Sequence, residues 1–139
     1  PNLLIEDLTN AIATASAPKI YICNVMTQPH ETDHLTAFDH VNAIVQHTRP
    51  DVLSHVVVNT GQIPQALLKK YAQEEAFPVV SDSAKIRALG YSVLEANSVN
   101  FGDTVRHNPR RVSKIILDVI HSSKKKHPNS KTRKKMAYA

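Results

Sequence analysis

The sequence holds one cysteine, three glycines and no tryptophan in 139 residues, and each shortage removes something. A single cysteine forms no internal disulfide, which suits a reducing compartment. Neither a G-x-G-x-x-G turn nor a Walker loop occurs, so no glycine-rich phosphate cradle is written into these residues. Apolar runs are short: none approaches the roughly 20 residues of a membrane-spanning helix, and no signal-peptide pattern opens the chain. A cytoplasmic protein with no membrane span is expected. Acidic residues are missing from positions 122–139, which carry Lys124, Lys125, Lys126, Lys131, Arg133, Lys134 and Lys135. Outside that stretch ten basic residues face twelve acidic ones, so the net charge of +5 belongs to the tail. The tail's one aromatic, Tyr138, offers no stacking platform, so a solvated extension is expected there and nucleic-acid binding is disfavoured.

What remains is 42% hydrophobic, enough for one core. Leu3, Leu4, Leu8, Ile12 and Ala15 recur at helical spacing ahead of Pro18, predicting an amphipathic helix that packs on a sheet. Residues 19–23 read as a strand. Thr36 and Asp39 form a capping box before the apolar stripe of Phe38, Val41, Ile44 and Val45. Residues 52–58 are nearly continuously apolar and β-branched, as in a parallel strand buried on both faces. A helix is expected from Pro64 to about Glu75, then a short strand over 77–80 and a brief helix over 83–89 closed by Gly90. A further strand follows over 91–94, and a loop over 97–107. Asn108 and Pro109 then open a last helix carrying Val112, Ile115, Ile116, Val119 and Ile120. Alternating strands and helices imply an α/β fold with a mainly parallel sheet covered on both sides.

Parallel strands align their carboxyl ends, so the loops at 24–35, 59–63 and 96–108 converge on one crevice, the usual ligand position of such sheets. Candidate ligand-binding residues there are Asn24, Thr27, Gln28, Glu31, Thr32, Asp33, Asn59, Arg106 and His107. Taken singly, an asparagine at a strand end is more often a plain terminator. Arg110 and Arg111 lie in the first turn of the last helix, against its dipole at about 0.3–1 kcal/mol each. A phosphate held by the helix N-terminus and Arg106 would relieve that conflict; the alternative is arginines turned to water or paired with acids. His30, Glu31, Asp33, His34 and His40 are close in sequence, but His30 and His34 share a proline-containing loop rather than one helix face, so no metal site is expected. Cys23 reads as a buried apolar residue rather than a nucleophile.

The run MTQPHETDHLTAFDHV, together with PNLL at 1–4, HVVVN at 55–59 and RHNPRRV at 106–112, resembles the signatures of the YvcK-like gluconeogenesis factor family of the CofD-like superfamily. The resemblance runs from residue 1 to about 121. It implies a Rossmann-like, three-layer CofD-like α/β fold of which residues 1–121 form the C-terminal part, followed by a basic, disordered tail over 122–139. The family's glycine-rich GGGTG loop has no counterpart in the chain, which is expected to bind ligand poorly without it. His30 and His34 stand where the family usually has glycine, a change expected to alter a backbone shape that glycine allows. The resemblance further implies a regulatory protein that binds a UDP-sugar such as UDP-N-acetylglucosamine, linked to gluconeogenic growth and cell shape, with no cofactor required. Self-association into a homo-oligomer is left open. The competing reading is an enzyme, a CofD-type phospholactate transferase using a nucleotide donor.

Overall fold

The computed structural model describes residues 2–126. Three strands, β1 (Ile20–Ile22), β2 (His55–Asn59) and β3 (Ser92–Ala96), form a parallel sheet in the order β1-β2-β3. The register pairs Ile20 with His55 and His55 with Ser92. On one face Tyr21, Cys23, Val56, Val58 and Val93 meet α2 (Ala37–His47) and α4 (Ser83–Ala88) through Ala37, Val41 and Ile86. Val57, pointing the other way, is equally buried, and on that side α5 (Pro109–Lys126) lays Val119 near His55 and Ser92. Layers on both faces explain why β2 is apolar without interruption. Each valine so enclosed is worth roughly 1.5–3 kcal/mol.

The helix ends follow their sequence signals. Thr36 and Asp39 close the capping box in both directions, and Asp82 reaches across from α4 to accept the Phe38 N–H at 2.8 Å. Asn108 caps α5 by accepting from the Arg111 N–H at 3.1 Å. Gly90, at φ +92°, takes the left-handed turn beyond α4. Lys19 donates its ammonium to the Ala13 and Ala15 carbonyls, closing the end of α1 (Glu6–Thr14).

Five expectations are corrected. The first helix is shorter than its periodicity, because Asn2–Leu4 is a 3-10 turn and Ile5 is extended. It leans on a second 3-10 turn, Pro50–Val52, rather than chiefly on the sheet, leaving Leu4 and Ile5 exposed. Residues 77–80 are no strand of the parallel sheet: they run antiparallel to the loop after β1, through Thr27 N–H to Phe77 O, Val79 N–H to Val25 O and a Met26–Pro78 bridge. Pro78 has no N–H to extend a ladder. The stretch 97–107 is a hairpin rather than a loop, with β4 (Val99–Phe101) antiparallel to β5 (Val105–His107). Finally, α5 continues through Lys126, past the expected tail boundary at 122; the rest of that tail lies outside the described residues.

Candidate functional site

At the carboxyl edge of the sheet, the loop leaving β1 faces β5 across a cleft of about 280 Å³. Asn24, Thr27 and Gln28 line one wall; Arg106 and His107 line the other, with Tyr71 of α3 (Gln65–Gln73) between them. The hairpin delivers the arginine: Arg106 pairs with Asn100 in the β4–β5 ladder, a firmer mounting than the loop expected from sequence. The hairpin is itself tied down, since the Tyr71 hydroxyl accepts from the Val105 N–H at 2.9 Å and Lys70 donates to the Asp103 carbonyl.

The groups open to a ligand can be counted off. Arg106 donates through Nε to Thr104 Oγ1 at 3.1 Å, which leaves its two terminal nitrogens facing outward. The Nδ1 of His107 is buried and has no hydrogen-bond partner among the described residues, an arrangement that costs free energy unless something supplies one. Asn24 and Gln28 are exposed. Thr27 is buried, with Oγ1 accepting from the Phe77 N–H at 2.9 Å, which leaves its hydroxyl hydrogen and one lone pair. A guanidinium with a free fork and two exposed amides make an anion-binding surface with polar flanks.

The remaining sequence candidates do other work. Thr32 Oγ1 accepts from the Gln28 N–H and Asp33 from the His30 N–H, so both hold the loop's shape. Glu31 is exposed and outside the cleft. His30 and His34 sit at φ +66° and +60°, in the left-handed region that glycine enters most freely. Asn59 is a latch: its Oδ1 accepts from the Gly61 and Ser98 N–H groups, both at 3.1 Å, and its Nδ2 donates to the Gly61 carbonyl. Arg111 turns back from the helix end to Asn97 Oδ1 at 2.8 Å and to the Val99 carbonyl, bracing the hairpin. Among the described residues no three of His, Cys, Asp and Glu cluster as a metal site would need. Tyr71 was missed because a tyrosine on an amphipathic helix carries no sign of what it faces.

Beneath the cleft, burial pushes the Cys23 thiol up to about 11, against a smaller opposing contribution from its hydrogen bond with Tyr21. Burial likewise raises the Tyr21 phenol. Both groups are neutral near pH 7 and sit in the core, not in the chemistry.

A second cleft, of about 270 Å³, opens at the end of β2 between residues 59–63 and 78–81. Val25 lines both clefts, and the Met26–Pro78 bridge lies between them. A Cβ on Gly61 would stand 2.4 Å from Asn97 Oδ1, so a side chain there requires Asn97 to move.

Comparison with known proteins agrees with this architecture. The gluconeogenesis factor of Bacillus subtilis (strain 168) is 39% identical over 121 residues, covering 86% of this chain and 38% of its own length. That of Halalkalibacterium halodurans is 42% identical over 124 residues, covering 85% and 37%. The chain therefore spans less than two fifths of either relative. A crystal structure of a member of the UPF0052 family from Bacillus halodurans superposes with a TM-score of 0.82 at 42% identity, over 84% of this chain and 38% of that one. Among the described residues no helix is long and apolar enough to cross a membrane. The sequence model of 2-phospho-L-lactate transferase CofD matches residues 1–99, and the chain belongs to the CofD family.

Proposed function

We propose that this chain supplies part of the binding site of a cytoplasmic gluconeogenesis factor, a regulatory protein that takes a nucleotide sugar of the UDP-N-acetylglucosamine type and influences carbon metabolism and cell shape. The observation that carries the reading is the pair on β5: Arg106 with its guanidinium fork unengaged, next to His107 with a buried, unpartnered Nδ1. A diphosphate between them and the Asn24–Gln28 wall gives the fork its acceptor. Relatives at 39% and 42% identity bear the name gluconeogenesis factor, which favours a binder over a catalyst.

Arg106→Ala tests this. In the intact protein it weakens UDP-N-acetylglucosamine by about ten- to a hundredfold in calorimetry, the worth of one charge-assisted hydrogen bond, while Arg106→Lys, charged but without the planar fork, falls between. The melting temperature stays unchanged, because Arg106 is exposed. Parent-like affinity in Arg106→Ala removes the phosphate role.

One observation favours a second reading, phospholactyl transfer from a nucleotide donor: the matching family is described as a transferase. Against it, the Arg106 cleft has no carboxylate in its lining, and carboxylates are the usual protein ligands of a phosphate-bound magnesium ion. Release of free nucleotide from a nucleotide-lactate donor in the presence of a deazaflavin acceptor would reverse the choice.

A further inference from the structure

At one margin of the sheet, β3 pairs with β2 alone. Backbone groups along a strand point alternately to its two sides. The Ser92 N–H donates to the Ser54 carbonyl at 3.2 Å and the Ala96 carbonyl accepts from the Thr60 N–H at 2.9 Å, so residues 92, 94 and 96 face β2. Val93 and Glu95 point their N–H and carbonyl groups the other way, and no described residue hydrogen-bonds to them. The next outward carbonyl, that of Asn97, lies 3.4 Å from Arg111 Nη1, which ends the open run. A groove of about 520 Å³ follows the edge between Arg87 of α4 and Ile115 and Asp118 of α5, so neither helix closes it off.

Such edges are normally blunted by lysine, proline or a bulge. The strand Ser92–Ala96 has none of these. Its one charge, Glu95, is matched by Arg87 at 3.2 Å, and the Asp118 carboxylate beside it is matched by Lys114 at 2.7 Å. Balanced charge gives the groove no field that selects an acidic or a basic partner. Its backbone groups are instead their own complement, two donors and two acceptors placed symmetrically about Leu94.

We propose that β3 pairs antiparallel with the β3 of a second copy of this chain, about a two-fold axis at Leu94, joining two three-stranded sheets into one of six strands. Val93 of each copy then exchanges two hydrogen bonds with Glu95 of the other, and Leu94 faces Leu94 as the closer, non-hydrogen-bonded pair. This pairing uses every open backbone group of the edge. The Arg106 cleft takes no part in it, so the inference stands apart from any ligand.

Sedimentation equilibrium of the intact protein is expected to show a reversible dimer. Glu95→Pro deletes half of the hydrogen bonds across the seam and leaves the β2 side untouched, so it is expected to weaken the dimer by about ten- to a hundredfold. Its melting temperature, taken at a concentration where the parent is monomeric, is the folding control. A second pair of variants reads the register. Leu94→Cys is expected to form an intermolecular disulfide on mild oxidation, since the facing Cα atoms stand about 4.5 Å apart. Ser92→Cys is not, because its counterpart lies roughly 14 Å away across the axis. Cys23, 1% exposed, stays out of the reaction. A monomer at every concentration overturns the proposal, and slow exchange of the Val93 and Glu95 amides in that monomer assigns the edge to another segment of the polypeptide. A dimer that survives Glu95→Pro at full strength, or that cross-links as readily through Ser92→Cys as through Leu94→Cys, uses another surface and overturns it as well.

Discussion

Asn59 is where the reading by sequence and the reading by structure part most sharply, and its replacement by alanine separates them. The side chain accepts from the N–H groups of Gly61 and Ser98, donates to the Gly61 carbonyl, and lies 3.4 Å from the Ser98 hydroxyl. Ser98 is fully buried. In Asn59→Ala its N–H has no acceptor and no water within reach, which costs about 1–3 kcal/mol, and the half-buried Gly61 groups add a smaller loss. A destabilisation of about 2–4 kcal/mol is expected, read in urea as a midpoint lower by roughly 1–2 M with an unchanged slope. Asn59→Asp keeps the acceptor but sets a carboxylate oxygen against the Gly61 carbonyl, so it is expected to cost more than the roughly 1 kcal/mol of the lost bond. If Asn59→Ala unfolds within about 0.5 kcal/mol of the parent and yet abolishes nucleotide-sugar binding, the latch is wrong and the side chain belongs to the ligand.

Histidine in the left-handed region costs about 1–2 kcal/mol, offset in part by the greater unfolded-state freedom of glycine, so His34→Gly should raise stability by about 0.5 kcal/mol; a clear loss of melting temperature would show a side-chain role. Asp39→Ala, which breaks the capping box of α2, should cost about 1 kcal/mol in chemical denaturation. The Asp39 carboxyl is held below its ordinary value of 3.8 first by the Thr36 backbone N–H and then by the Thr36 hydroxyl. Its contribution is therefore complete above pH 3.8 and lost as pH falls through the lower folded value, so the Asp39→Ala penalty should shrink in acid; a penalty that grows there refutes the assignment. Cys23, with its thiol raised to about 11 and 1% exposure, should resist thiol reagents at pH 8 until denaturant is added, and labelling within minutes in the native protein would contradict its burial.

Elements that depend on neighbours in sequence were legible from it. The Thr36–Asp39 box, the Asn108-Pro109 start of α5, Gly90 beyond α4 and the uninterrupted valines of β2 each act over a few residues, and each is where the pattern places it. The crevice followed in part: the loop after β1 and the 105–107 segment share a cleft, but residues 59–63 line a second one with 78–81. Only tertiary structure could separate residues left open at the cleft from residues that brace the fold. Asn59 and Asn24 look alike at the ends of their strands, yet Ser98, thirty-nine positions on, takes the first and leaves the second open. Arg106 and Arg111 stand five residues apart, and the β4–β5 hairpin turns one toward the cleft and the other onto its own backbone. Three-residue strands are too short for a period to show, so that hairpin, and the pairing of 77–79 with 25–27, had no signature in the chain. Their partners are distant in sequence, and a polar side chain's role is set by which distant backbone group reaches it first.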